Sequence, residues 1–320
     1  VIDKVIDQLA SEQNPALTEV ARIYSGETLA DLAGSVAKKR GGFAAQQSGD
    51  DIFRYFEAPC DHTFDAVLSN ALPPEDLTFL KGLSALLLTS EKPADHKLAA
   101  VLAGLPEAAT RNTLDQLERQ FLYGKGAKAG PFTAKIDSIP TKAHREGPFQ
   151  PDLARFNEIM IQVEEARRTR LSLEAANKTA ALHGFASAFL PAYAREKEAA
   201  GVLDFDDLIE KAGALLTMRS LEWVLYRLDG GIEHILVDEA QDTSPPQWNV
   251  IDSLAHEITS GEGTRPDRTI FVVGDKKQSI YSFQGADAEA FDRMKVRFSE
   301  RMRNGPALQA GELHYSFRSS

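Results

Sequence analysis

The chain has 320 residues, 43% hydrophobic and 26% charged, which places it among ordinary globular proteins of about two domains with ample length to bury a core. A formal net charge of −11 argues against a protein that coats nucleic acid through bulk positive potential, though it leaves room for one that grips a strand in a local groove. The single cysteine, Cys60, excludes an internal disulfide and any multi-cysteine metal site, and fits a reducing cytoplasm.

The chain opens Val1-Ile2-Asp3 without a methionine and reads as an internal piece of a longer protein. Residues 1 to about 122 read as helix after helix. Asn14-Pro15 combines an N-cap residue with a proline suited to the first turn, and Pro73-Pro74-Glu75-Asp76 and Pro93-Ala94-Asp95 open further helices. Leu77, Leu80, Leu83 and Leu87 keep helical spacing, as do Leu98, Leu102 and Leu105. The richest apolar patch, Leu83 to Leu88, falls far short of the ~18 residues needed to span a bilayer, so no membrane partner is expected.

Tyr123 to Gln150 breaks the helical pattern. Glycines and prolines alternate there with Lys125, Lys128, Lys135, Lys142 and Arg145, against only Asp137 and Glu146, and Tyr123, Phe132 and Phe149 are interleaved. A basic, turn-rich segment with aromatics can grip a single strand through phosphate contacts and stacking. The other reading is a solvated loop whose aromatics anchor it to the helices. Helix returns from Pro151 to Ala200, where Glu164-Glu165 before Arg167-Arg168-Arg170 reads as a salt-bridged face.

After Gly201 the pattern becomes α/β. Ile232 to Val237 is a short apolar run that ends in Asp238-Glu239-Ala240-Gln241-Asp242, and Thr269 to Val273 is another that ends in Gly274-Asp275-Lys276-Lys277-Gln278. Buried parallel strands deliver polar groups to the carboxyl edge of a sheet in this way. A carboxylate such as Asp238 can hold Mg²⁺ there, and a second beside it, Glu239, can orient or deprotonate an attacking water. The alternative is that Asp-Glu merely ends a strand and caps the next helix. Gln278 can sense a γ-phosphate without adding charge. Tyr281 and Phe283, two apart, form either a stacking platform or part of the core. Near the end, Leu313 to Arg318 alternates like a strand, and Arg318 could stabilise charge on a transferring phosphoryl group.

These residues together resemble the superfamily 1 DNA helicases of the UvrD/Rep/RecB group. Asp238–Asp242 is similar to motif II of that group, Val273–Ala286 to motif III, Leu313–Ser319 to motif IV, and Leu203–Ile209 to the segment preceding motif II. The resemblance covers about residues 186 to 320. Within the group, Gly274–Asp287 is closer to the AddA and RecB helicase–nuclease proteins, and Ile139-Pro140-Thr141-Lys142-Ala143 also resembles AddA proteins. The resemblance implies ATP and Mg²⁺ as cofactors, with Asp238 on the metal, Glu239 as catalytic base, and Gln278 and Arg318 on the γ-phosphate. It implies that Gln241 and Asp242 couple nucleotide to DNA, and that Tyr281, Phe283 and Lys142 contact DNA, single-stranded or duplex. It also implies a second, AddB-like subunit together with a cytoplasmic location and a role in double-strand-break repair and recombination.

The expected architecture is an α/β fold: a partial P-loop (RecA-like) motor domain at 201–320, preceded by a large all-α accessory domain at 1–200 that carries the basic loop at 123–150. Two departures stand against the group pattern. No Gly-x-x-x-x-Gly-Lys-[Ser/Thr] occurs, and Gln284 stands where the group has arginine. The expectation is therefore a middle fragment that is inactive in isolation. The rival readings are a UvrD/Rep-like single-subunit helicase, a non-catalytic DNA- or partner-binding module, and a two-metal nuclease using Asp204, Asp206, Asp207, Asp238 and Glu239.

Overall fold

A computed structural model describes residues 1–24, 27–45, 47–59, 63–217, 232–259, 268–279, 287–304 and 308–311. Its contacts divide the chain into two units, Val1–Glu196 and Lys197–Ser320.

The first unit is helical: α1 (Ile2–Ser11), α2 (Pro15–Ile23), α3 (Glu27–Lys38), α4 (Gly49–Tyr55), α5 (Phe64–Ala71), α6 (Pro74–Leu87), α7 (Pro93–Ala103), α8 (Arg111–Phe121), the short α9 (Lys142–Arg145) and most of α10 (Leu153–Ala200). Local chemistry sets the starts. Asn14 Oδ1 accepts the Ala16 and Leu17 N–H groups at 3.0 and 3.3 Å, and Thr110 and Thr113 close a reciprocal box at the head of α8. The leucines of α6 and α7 at helical spacing are buried, and Phe156 meets Phe121 and Phe149 edge to face, each pair with centroids 5.2 Å apart. A second cluster joins Val5, Leu9, Val20 and Val36 to Phe185 and Phe189 of α10. The charged face of α10 is salt-bridged, with Glu118 of α8 accepting from Arg167 at 2.6 Å and Arg170 at 3.1 Å.

Residues 123–150 are more ordered than a loop. Leu122 and Ala134 form an antiparallel bridge, and Phe132 N–H donates to Tyr123 O at 3.1 Å while Tyr123 N–H donates to Thr133 O at 2.9 Å. The buried Asp95 carboxylate then pins the segment from α7, accepting Thr141 N–H at 2.8 Å and Thr141 Oγ1–H at 2.6 Å.

The second unit contains α11 (Phe205–Thr217), β1 (His234–Val237), α12 (Pro245–Thr259), β2 (Thr269–Val272) and α13 (Ala288–Arg301). The strands pair in parallel, His234 opposite Thr269 through Val237 opposite Val272. Val237, Ala240, Trp248, Ala255, Ala290, Met294 and Phe298 form its core, with Ile235, Ile270 and Val272 packed against them. Among the described residues the chain is thus mostly helical with a small parallel two-stranded sheet. The strands, expected to be buried, are covered on one face: Leu236 is 71% and Phe271 61% exposed, facing away from that core.

Candidate functional site

Because β1 and β2 are parallel, the chain leaves both at the same edge of the sheet. Pairing continues past the strands, with Val273 N–H donating to Val237 O at 2.8 Å and Ala240 N–H to Val273 O at 2.9 Å. Beyond β1 the chain turns sharply. Glu239 adopts left-handed dihedrals (φ 49°, ψ 44°), its N–H donates to Asp238 Oδ1 at 2.9 Å, and Ala240–Asp242 form one 3₁₀ turn before α12. Asp238 and Glu239 are exposed, whereas Gln241 is 1% exposed.

Beyond β2, Asp275 caps the 3₁₀ turn Lys276–Gln278. Its Oδ1 accepts Lys277 N–H at 3.0 Å, and its Oδ2 accepts the Gln278 side-chain Nε2–H at 3.0 Å. These two donors hold the Asp275 carboxyl below its ordinary value. The two strand ends are joined by Gln241, whose Nε2–H donates to Glu239 Oε2 at 2.6 Å and whose Oε1 accepts Asp275 N–H at 2.9 Å. Glycine at 274 makes room for this, since a Cβ there would sit 2.8 Å from Gln241 Oε1. Asp242 Oδ1 is buried with no hydrogen-bond partner among the described residues.

Asp238, Glu239, Gln241, Asp242 and Gln278 are therefore gathered at one edge. Tyr281, Phe283, Gln284 and Arg318 lie outside the described residues. Lys142 belongs to the helical unit, where it is exposed with Glu146 Oε1 3.6 Å from its ammonium. Around it, the aromatics of the basic segment serve mainly as anchors. Phe149 is fully buried, Arg167 lies 4.1 Å over the Phe132 ring, and Tyr123 Oη pairs with Ser138 Oγ at 2.7 Å. Lys135 donates to Gln120 O at 2.7 Å, and burial pushes its ammonium pKa down. Lys125, Lys128 and Lys142 are the exposed lysines of the segment.

The carboxylates of the two-metal nuclease reading do not converge. Asp204 Oδ2 and Asp207 Oδ2 each accept from Lys197 Nζ at 2.6 Å, and the two aspartates cap each other's backbone N–H at the head of α11. Burial pushes the Asp207 carboxyl up, but Lys197 and the Asp204 backbone outweigh it and hold it low. Among the described residues no group of three or more His, Cys, Asp or Glu could hold a metal. Sequence reasoning missed the bridging geometry of Gln241 and the capping role of Asp275. The second had a local signal, an aspartate three positions before Gln278.

Residues 74–299 match the UvrD/REP helicase N-terminal domain family. This chain belongs to that family of superfamily 1 helicases. The match starts well inside the helical unit, further upstream than the resemblance over 186–320, and ends before the Leu313–Ser319 segment. The chain is 34% identical over 104 residues to the RecBCD enzyme subunit RecB of Escherichia coli, covering 32% of this chain and 8% of that protein. It is 38% identical over 107 residues to AddA, an ATP-dependent helicase/nuclease protein of Levilactobacillus brevis, covering 33% and 8%. To the ATP-dependent DNA helicase UvrD1 of Mycobacterium tuberculosis it is 40% identical over 104 residues, covering 32% and 13%. The matched stretches thus span a small part of each relative's length. Among the described residues no helix is long and apolar enough to cross a membrane.

Proposed function

We propose that this chain supplies part of the motor of an ATP-dependent DNA helicase, in which the ends of β1 and β2 form one side of the nucleotide site. The observation that carries the reading is the gathering of exposed Asp238, Glu239 and Gln278 at one sheet edge, joined by the buried Gln241 amide. An exposed aspartate at a strand end offers the oxygen donors that Mg²⁺ prefers, so Asp238 would hold the ion directly or through water. The ion, when bound, neutralises charge on the phosphate oxygens. Glu239 takes the proton of the attacking water as its oxygen bonds to the γ-phosphorus, and the bond to the β-phosphate oxygen breaks to release ADP and phosphate. Gln278 orients that water or the γ-phosphate, and Arg318 offsets the developing charge. Gln241 and Asp242 couple the nucleotide to DNA, on which Tyr281 and Phe283 stack and which Lys142 contacts; alanine at either aromatic should weaken strand engagement by roughly 1–3 kcal/mol.

The chain contains no Gly-x-x-x-x-Gly-Lys-[Ser/Thr], so the backbone cradle that dominates triphosphate binding is not supplied by these residues. By itself the 320-residue chain should show feeble Mg·ATP affinity and no measurable hydrolysis, read by titration calorimetry and phosphate release. For the intact protein we propose a helicase–nuclease of the AddA kind, acting in double-strand-break repair with an AddB-like partner in the cytoplasm. The identity of 40% to UvrD1 favours a second reading, a single-subunit helicase without a nuclease. Degradation of linear duplex DNA by the intact protein separates the two.

The test of the site is Glu239→Gln in the intact motor. Nucleotide binding should persist while hydrolysis stimulated by single-stranded DNA falls by about 10²–10⁴-fold. Unchanged hydrolysis would refute the role.

A further inference from the structure

We infer that Gln241 is a positioning residue that orients the Glu239 carboxylate and locks it to the turn carrying Gln278. The inference rests on the reading of Glu239 as the base. A side chain 1% exposed is ordinarily apolar, and a buried amide is costly unless both its ends are bonded. Here both are: one N–H donates to the Glu239 carboxylate at 2.6 Å, and the carbonyl accepts the Asp275 N–H at 2.9 Å.

The pairing is directional. A carboxylate only accepts and a backbone N–H only donates, so the amide has one orientation and no residue without both functions can replace it. The linkage then continues. Asp275, whose N–H Gln241 holds, accepts the Gln278 amide through its carboxylate, and Ser279 Oγ reaches back to Gln241 O at 3.4 Å. Glu239 and Gln278 are thereby tied through one buried side chain, and a shift of the turn after β2 that breaks the Asp275 bond removes one of the two anchors of the amide that holds the base. Gly274 belongs to the same device. A Cβ there would lie 2.8 Å from Gln241 Oε1, 3.2 Å from Gln241 N and 3.2 Å from Ala240 Cβ, so the turn closes on the amide only with glycine.

Gln241→Met in the intact motor separates positioning from packing, because methionine fills the same space and makes neither bond. Positioning predicts a kcat for DNA-stimulated hydrolysis lower by roughly 10- to 100-fold, with KM for ATP changed by no more than about twofold. Gly274→Ala, which pushes on the amide from outside, should give the same split. A wild-type kcat in Gln241→Met, alongside a dead Glu239→Gln, would overturn the inference and leave the base reading standing. Surviving hydrolysis in Glu239→Gln would overturn both. Amide hydrogen exchange on the unmodified 320-residue chain gives an answer that needs no variant to fold. The Asp275 N–H should be protected as the Val273 N–H is, and an Asp275 amide exchanging at the unprotected rate would overturn the linkage.

Discussion

The helical unit and the α/β unit both pair their buried charges, Lys197 with Asp204 and Asp207 and Asp252 with Arg297 and Arg301 in the second, but they differ at the sheet edge. In Val1–Glu196, Phe121, Phe149, Phe156, Phe185 and Phe189 are fully buried, and the buried charges Asp95, Glu118 and Arg170 have partners from other helices or turns. In Lys197–Ser320 the described sheet edge encloses a glutamine, Gln241, beside Ala240, while Phe205, Leu236 and Phe271 are 85%, 71% and 61% exposed. Consistency between residue type and environment marks a region built for stability. Its local violation marks a region whose residues are held for chemistry or for surfaces beyond their own core. The helical unit should therefore respond to mutation through folding free energy, and the sheet edge through rate.

The largest stability effect should come from the aromatic cluster centred on Phe156. Phe156→Ala, removing a ring in edge-to-face contact with both Phe121 and Phe149, should cost about 3–5 kcal/mol in chemical denaturation of the chain. A loss under about 1 kcal/mol would break the contrast between the units.

Next comes Asp95, where Asp95→Ala strands the Ser90 and Thr141 donors and should cost about 1.5–3 kcal/mol. Burial pushes this carboxyl up, but the Ser90 and Thr141 hydrogen bonds and the nearby His144 outweigh it and hold it below its ordinary value of 3.8. A depressed folded pKa adds stability that is complete above 3.8 and is lost as pH falls through the folded value. The wild-type advantage over Asp95→Asn should therefore shrink in denaturation series taken below pH 3.8. An advantage that is flat or grows on acidification would contradict the assigned contacts.

Thr110→Ala, which removes the box at the head of α8, should cost about 1 kcal/mol. The smallest effect belongs to the other unit. Phe271→Ser, at a ring 61% exposed, should change stability by no more than about 0.5 kcal/mol, despite removing a phenyl group from a strand.

What the sequence made legible was local. Asn14-Pro15, Pro74 and Pro93 announce helix starts because capping and proline chemistry act within a few residues. The strand ends at Asp238 and Gly274 stand out because an apolar run stops abruptly against polar groups. What stayed hidden was long-range. Asp95 meets Thr141 across 46 positions and Gln241 meets Asp275 across 34, distances over which no periodicity speaks. The exposure of Leu236 and Phe271 was equally unreadable, since a four-residue apolar strand reads the same whether one or both faces are covered. The basic segment at 123–150 shows the same limit. Its composition fits a strand-gripping loop, yet Phe149 lies in the core and Lys135 is held by Gln120 O.

The claim that the two strand ends work as one centre is tested most directly by a double-mutant cycle on kcat, pairing Glu239→Gln with Gln278→Ala in the intact motor. If both side chains act on the same water, the second substitution should add little once the first is made, and the double variant should lose far less than the product of the single losses. Losses that simply multiply would mean that the ends of β1 and β2 act independently, and would contradict the account.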